Sequence, residues 1–221
     1  MNVMILSAGR GDRLRPITDT VPKPLVEVQG TSLLERHLHR VARAGYRRVV
    51  INLGWHGEKI AERVGSGNEF DVDVVYSPEY DGILETGGGV RRALPMLGED
   101  PFWVLNGDIL TDFELRDVEL DDETLGHLIL VPTPDYRPSG DFNLVDGRVR
   151  RGDCPTLTFA GLAVYRPEFV AHRPVERFSL APLLFEAADA GRLTGEIHSG
   201  VWADVGTPDR LDALNRSGQS V

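Results

Sequence analysis

The most constraining stretch of this chain is its beginning. Residues 2 to 7 form a short apolar run with no room for a helix start, which reads as a buried parallel strand. It ends abruptly in Ser7-Ala8-Gly9-Arg10-Gly11. Small residues at Ala8, Gly9 and Gly11 allow backbone N–H groups to turn inward on one centre, the kind of concavity that holds an anion. Between residues 9 and 23 four cations (Arg10, Arg13, Arg15, Lys23) stand against two carboxylates (Asp12, Asp19), in a chain whose net charge is −10. A locally positive glycine loop after the first strand of an acidic protein points to a polyphosphate site. Taken alone, Gly9-x-Gly11 reads first as a solvated turn among surface arginines. Lys23 shifts the balance: the chain has 22 arginines and only two lysines, and this lysine lies between Pro22 and Pro24. Prolines that fix the local backbone put a compact point charge at a set place.

The loop fits neither common nucleotide motif. G-x-x-x-x-G-K-[ST] is missing, and the sixth position of the run that starts at Gly9 is Leu14, so a dinucleotide fold is disfavoured. Downstream, Ser32-x-x-Glu35 forms a capping box, and Leu34, Leu38, Val41 and Ala42 make one apolar helix face that stops at Gly45. Arg48 to Leu53 reads as a buried strand, Gly57 to Val64 as a short helix ending at Gly65, and Asp71 to Tyr76 as a third strand. This order predicts an α/β fold, Rossmann-like, with a mostly parallel sheet and helices on both faces. Ligands of such sheets sit beyond the carboxyl ends of the strands, where the Gly9–Gly11 loop lies.

Leu84-Glu85-Thr86-Gly87-Gly88-Gly89 opens a helix that runs from Val90 to Leu97; three glycines read either as a tight strand-to-helix turn or as a close approach to a ligand. Phe102 to Leu105 is an apolar strand that ends in Asn106-Gly107-Asp108, with Asp108 at the same sheet edge as the glycine loop. Residues 114 to 122 are acidic and poorly patterned, as expected of surface. Leu125 to Val131 is another strand, and residues 141 to 149 read as a hairpin turning at Asp146-Gly147, with Leu157 to Tyr165 as its long partner. Leu180 to Ala190 is a helix stopped at Gly191. Thr207 caps a terminal helix that has Pro208 at its first position, and this leaves Asp204 on the preceding strand without a capping role.

A chain of 221 residues with 41% hydrophobic content is expected to build one domain of generous size, or one and a small subdomain. Its negative charge argues against nucleic acid or an anionic membrane as partner. The single cysteine, Cys154, excludes an internal disulfide and suits a reducing compartment. Neither a signal-peptide start nor a run of eighteen apolar residues is present, so the expectation is a soluble, cytoplasmic protein, a monomer or small homo-oligomer.

Ser7-Ala8-Gly9-x-Gly11-x-Arg13-Leu14-x-Pro16-Ile17-Thr18, followed by Pro22-Lys23-Pro24-Leu25, resembles the signature of the sugar-1-phosphate nucleotidylyltransferases. The resemblance implies a single domain with a nucleotide-binding half (about 1–110) and a sugar-binding half (about 111–221), small-molecule substrates (a nucleoside triphosphate and a sugar 1-phosphate), and Mg²⁺ as cofactor. It implies nucleotide contacts from Ala8, Gly9, Gly11, Arg13, Glu79, Gly87, Gly88 and Asn106. Arg13, Lys23 and Asp108 take the catalytic roles, Asp108 and Asp204 the metal. Lys23, Gly140, Asp141, Thr158, Phe159 and Gly161 fall on the sugar side. Phe159 stands where many relatives carry an Asn, and the Glu-Lys pair that many use on the sugar phosphate has no match between 145 and 155. These departures, with the Leu84–Gly89 form, are similar to the small N-acetylmuramate 1-phosphate uridylyltransferases, which implies UTP, N-acetylmuramate 1-phosphate and a role in peptidoglycan recycling. A guanylyl-, cytidylyl- or thymidylyltransferase is the alternative within the enzyme class. A non-catalytic nucleotide-sensing domain is the alternative outside it, disfavoured because the loop arginine and both carboxylates are kept.

Overall fold

The computed structural model describes residues 1–80 and 82–217. Strand β1 (Val3–Leu6) leads through three 3-10 turns (Asp12–Leu14, Ile17–Asp19, Lys23–Leu25) to a small hairpin, β2 (Glu27–Val28) and β3 (Thr31–Ser32), and then to α1 (Leu33–Arg43). Next come β4 (Arg48–Leu53), α2 (Gly57–Val64), β5 (Asp73–Pro78), α3 (Glu85–Leu97) and β6 (Phe102–Asn106). After them the chain forms β7 (Ile109–Thr111), β8 (Gly126–Pro132), β9 (Asn143–Val145), β10 (Arg148–Arg150) and β11 (Leu157–Tyr165). It closes with α4 (Glu168–Ala171), α5 (Leu180–Asp189), β12 (Leu193–Ile197), β13 (Trp202–Asp204) and α6 (Pro208–Ser217).

Nine strands form one sheet in the order β5-β4-β1-β6-β11-β8-β12-β10-β9. Parallel pairing joins β5, β4, β1 and β6, and again β8 and β12; β11 and β10 run against their neighbours. The sheet is therefore mostly parallel in direction. Its two faces are legible in β1, where successive side chains point to opposite sides. Val3 and Ile5 pack with Leu34, Leu38 and Val41 of α1 and Ile60 of α2, whereas Met4 packs with Val90 and Ala93 of α3 and Leu184 of α5. Helices thus cover both faces. The capping box at the start of α1 is complete: Glu35 N–H donates to Ser32 Oγ and Ser32 N–H donates back to Glu35 Oε2.

Three expectations change. Residues 114–122 are not free surface, because Leu115 is buried, Val118 and Leu120 pack against the core, and the Trp103 indole N–H donates to the Arg116 carbonyl at 3.1 Å. Leu157–Tyr165 is a long strand with the expected bounds, but its partners are β6 and β8; the bridge Phe142↔Leu157 and the hydrogen bonds of Asp141 to Leu157 and Phe159 tie it to the start of the hairpin segment. The hairpin, turning at Asp146 and Gly147, attaches to β12 instead. Helix α3 begins at Glu85, so all three glycines lie inside its first turns. Among the described residues no helix is long and apolar enough to cross a membrane.

Candidate active site

The carboxyl ends of β1, β4 and β6 are adjacent in the sheet, so everything that follows those strands meets at one edge. A cavity of about 450 Å³ opens there. Its walls are residues 6–9, Gly11, Asp12 and Arg13 from the glycine loop, Lys23 and Pro24, Asn52, then Ile83, Glu85 and Thr86, and finally Asn106, Gly107, Asp108 and Gly206. The sequence-predicted Ala8, Gly9, Gly11, Arg13, Lys23, Asn106 and Asp108 are thus brought together. Gly11 has φ +68°, and a Cβ there would press on Thr18 and on the Lys23 stem, so the loop closes tightly over the lysine. Gly9 differs: a Cβ there would meet nothing within 4 Å. The protein's own packing gives no reason for that glycine, whereas a ligand seated against the loop would.

Lys23 lies almost out of solvent with its ammonium 2.5 Å from Asp108 Oδ2. Asp108 sits in the turn between β6 and β7, and β7 pairs antiparallel with β13 so that Asp204 is opposite Ile109. The Val205 N–H donates to the Asp108 carbonyl at 3.0 Å, which locks the two acidic positions side by side. Asp204 carries its own cation: Arg210 Nη1 reaches both carboxylate oxygens at 2.7 and 2.8 Å, and Tyr136 Oη donates to Oδ1 at 2.6 Å. Arg210 also stacks on the Tyr136 ring, 3.7 Å from its centre. Burial, then the Asp204 carboxylate, push the Tyr136 hydroxyl up to about 12. Among the described residues no cluster of three or more His, Cys, Asp or Glu side chains could hold a metal. A carboxylate in the β6–β7 turn and one at the end of β13 are oxygen donors of the kind taken by a hard cation that arrives with phosphate and keeps water, as Mg²⁺ does.

Beneath the Asp108 turn lies a fully buried His37 on α1. Arg40 Nη1 approaches its Nδ1 at 3.0 Å, and since a guanidinium only donates, Nδ1 must be the acceptor. The proton is then on Nε2, which is buried near the backbone of Asn106 and Ile109 without a hydrogen-bond partner. Burial, then Arg40, depress this imidazole to about 3, so it is neutral. Arg40 itself also donates to the Thr111 carbonyl at the far end of β7.

The remaining expected residues fall outside the cavity. Glu79 is buried behind it, its two carboxylate oxygens taken by Asn52 and by the Leu84 N–H. Gly87 and Gly88 press against the segment 176–178: a Cβ at either would run into the Phe178 ring or the Glu176 carbonyl, and both N–H groups donate to the Phe178 carbonyl. On the sugar side, Gly140 packs on Leu157 and Thr133, and Thr158 is buried and donates to Thr133 Oγ1. Asp141 accepts from the Phe159 N–H at 2.9 Å and pairs with Arg137. Phe159 is half-buried against the core. Gly161 lies in the irregular stretch of β11 and leaves room for the Asn106 side chain. Sequence reasoning passed over Asn52, Ile83, Glu85 and Thr86 in the cavity wall, and Tyr136 and Arg210 on Asp204. Asn52 had a signal, a lone amide closing the apolar run Val49-Val50-Ile51, and Glu85 and Thr86 lie in the Leu84–Gly89 segment whose glycines suggested a ligand approach; Ile83, Tyr136 and Arg210 had none.

Comparison with known proteins agrees with this geometry. An N-acetylmuramate α-1-phosphate uridylyltransferase of Neisseria meningitidis serogroup B is 44% identical over 220 residues, 96% of this chain and 95% of the relative. One of Caulobacter vibrioides is 34% identical, with 93% and 91% covered. A solved structure of a putative glucose-1-phosphate thymidylyltransferase from Bacillus anthracis superposes with a TM-score of 0.83 at 21% identity, over all of this chain and 97% of that one, and shares its fold. Residues 2–140 match the family described as nucleotidyl transferase, and the chain is a member of that family.

Proposed function

We propose that this enzyme transfers the uridylyl group of UTP to N-acetylmuramate α-1-phosphate, giving UDP-N-acetylmuramate and pyrophosphate. The observation that carries the reading is the end-to-end match to the Neisseria uridylyltransferase, which spans both the loop cavity and the sugar-side strands. A sugar phosphate oxygen attacks the α-phosphorus, and the bond to the bridging oxygen breaks as pyrophosphate leaves. The attacking phosphate is already an anion near neutral pH, so the step needs no general base. This suits a cavity wall that contains no histidine.

The obstacle is repulsion between polyanions, and this chain's contribution is fixed positive charge and fixed geometry. The glycine loop would cradle the triphosphate, Arg13 would neutralise the departing phosphates, and Lys23 would turn from Asp108 toward the attacking phosphate. Asp108 and Asp204 would hold Mg²⁺, which when bound offsets charge on the phosphate oxygens. A UTP-consuming reaction also fits a cytoplasmic location. The test is pyrophosphate release from purified enzyme with UTP, CTP, GTP, ATP or dTTP, each against several sugar 1-phosphates. UTP with N-acetylmuramate 1-phosphate should have the highest kcat/KM; a hexose 1-phosphate that exceeded it would overturn the assignment of the sugar.

A further inference from the structure

Three segments converge behind the cavity: the end of β1, the end of β4, and the connection from β5 to α3. They are joined by one line of buried hydrogen bonds. The Ser7 N–H donates to Asn52 Oδ1, Asn52 Nδ2 donates to Glu79 Oε1, and the Leu84 N–H donates to Glu79 Oε2, each at 2.7 Å. Asn52 and Glu79 are 2% and 6% exposed, so water cannot substitute for a missing partner. Ser7 and Asn52 line the cavity at the glycine loop and the end of β4, and Ile83 and Thr86, on either side of Leu84, line it from the connection into α3.

The polarity of this line has a single solution. A backbone N–H only donates, so Ser7 obliges Asn52 to turn its oxygen toward β1. That leaves the Asn52 NH₂, also donor-only, aimed at residue 79. The Leu84 N–H approaches residue 79 from the other side. Residue 79 must therefore offer two acceptors, which a carboxylate does and an amide does not. The third glycine fits the same design: a Cβ at Gly89 would lie 2.9 Å from Asn52 Nδ2 and 3.0 Å from Glu79 Oε1, inside the network. Burial raises the Glu79 carboxyl, and the Leu84 and Asn52 hydrogen bonds and Arg92 oppose that rise.

We propose that Asn52 and Glu79 are positioning residues that hold the phosphate loop and the Ile83–Thr86 wall at one spacing through a relay of fixed polarity, and so set affinity for the triphosphate. The inference rests on the nucleotidylyl-transfer reading for its kinetic consequence only. Glu79 then acts through Leu84 rather than on the nucleotide.

The fixed polarity allows a decisive exchange. E79Q sets a donor against a donor, and N52D sets a carboxylate against a buried carboxylate. N52D/E79Q restores every bond. The carboxylate now at position 52 would accept from the Ser7 N–H and from the amide now at position 79, whose oxygen would accept from the Leu84 N–H. Each single variant should raise KM for UTP about ten-fold, equivalent to about 1.4 kcal/mol, with KM for the sugar phosphate within about two-fold of wild type. The double variant should return KM for UTP to within about three-fold of wild type. Hydrogen exchange should show the Leu84 amide losing protection in E79Q and regaining it in the double. If a single variant does not fold, the melting temperature and Leu84 protection of the double decide. E79Q indistinguishable from wild type, or a double variant no better than the worse single, overturns the relay. If the wild type turns over no triphosphate and sugar phosphate pair, the functional reading falls, and exchange with the thermal cycle still decides the relay.

Discussion

His37 ties stability to pH in a way that can be measured. In the folded chain its imidazole is depressed to about 3 by burial and then by Arg40, whereas in the unfolded chain it titrates near 6.5. Protonation therefore favours the unfolded state. The stability His37 supports is complete above pH 6.5 and is lost as pH falls from there toward the folded value. The slope over that window is about 1.4 kcal/mol per pH unit, so between pH 7 and pH 5 the loss is about 2 kcal/mol. Urea unfolding at pH 7, 6 and 5, on wild type and on H37Q, isolates this contribution. Gln keeps an acceptor for Arg40 and a donor toward the Asn106–Ile109 backbone but cannot titrate. His127, also depressed by burial, adds a slope in the same direction to both proteins and cancels in the comparison. The wild type should lose about 2 kcal/mol more than H37Q across this range, at unchanged m-value. Parallel losses in the two proteins would refute the neutral, buried imidazole.

Other expectations concern the site. D108N and D204N should each keep the fold by circular dichroism and lose turnover about a hundred- to a thousand-fold at saturating Mg²⁺; near-normal activity of purified D108N would remove it from the reacting centre. K23R should also lose turnover in steady-state kinetics, because a planar fork cannot take the slot of a point charge closed by Gly11. G9A should melt like wild type yet raise KM for UTP, since its Cβ meets no protein atom within 4 Å. G88A should do the reverse, lowering stability in urea by about 1–3 kcal/mol through collision with the Glu176 carbonyl.

The parallel half was legible because its signals are local. β1 and β4 are apolar runs buried on both faces, α1 announces itself by a capping box, and α2 ends at Gly65 as its pattern required. Lys23 and Asp108 could be placed at one edge because the topology of such sheets brings strand ends together. What stayed hidden depends on contacts distant in the chain. The bounds of β11 were readable from its apolar length, but its insertion between β6 and β8 was not, since the pattern of a buried strand does not name its neighbours. The glycines at 87 and 88 looked like a ligand approach, and the segment that lies on them comes from residues 176–178. Tyr136 and Arg210 carried no mark at all, because only the fold brings them to Asp204.

The place of β11 also limits how this chain can be divided. Residues 1–120 contain β5, β4, β1 and β6 with their helices, and composition alone would let them pass for a small domain. Cut there, the fragment would expose the edge of β6, where Phe102 to Leu105 pair with Leu162 to Tyr165. It would also uncover Val104, whose face is shared with α5 and β8. An open, apolar edge of that kind invites pairing with other copies. Expressed apart, the N-terminal piece would aggregate; expressed together, the two pieces could reassemble by adding β11 back to that edge. The natural seam for a split reporter or a circular permutant is the exposed Asp146-Gly147 turn, which lies at the far rim of the sheet and is held to β12 by the Gly195 N–H bond to the Gly147 carbonyl.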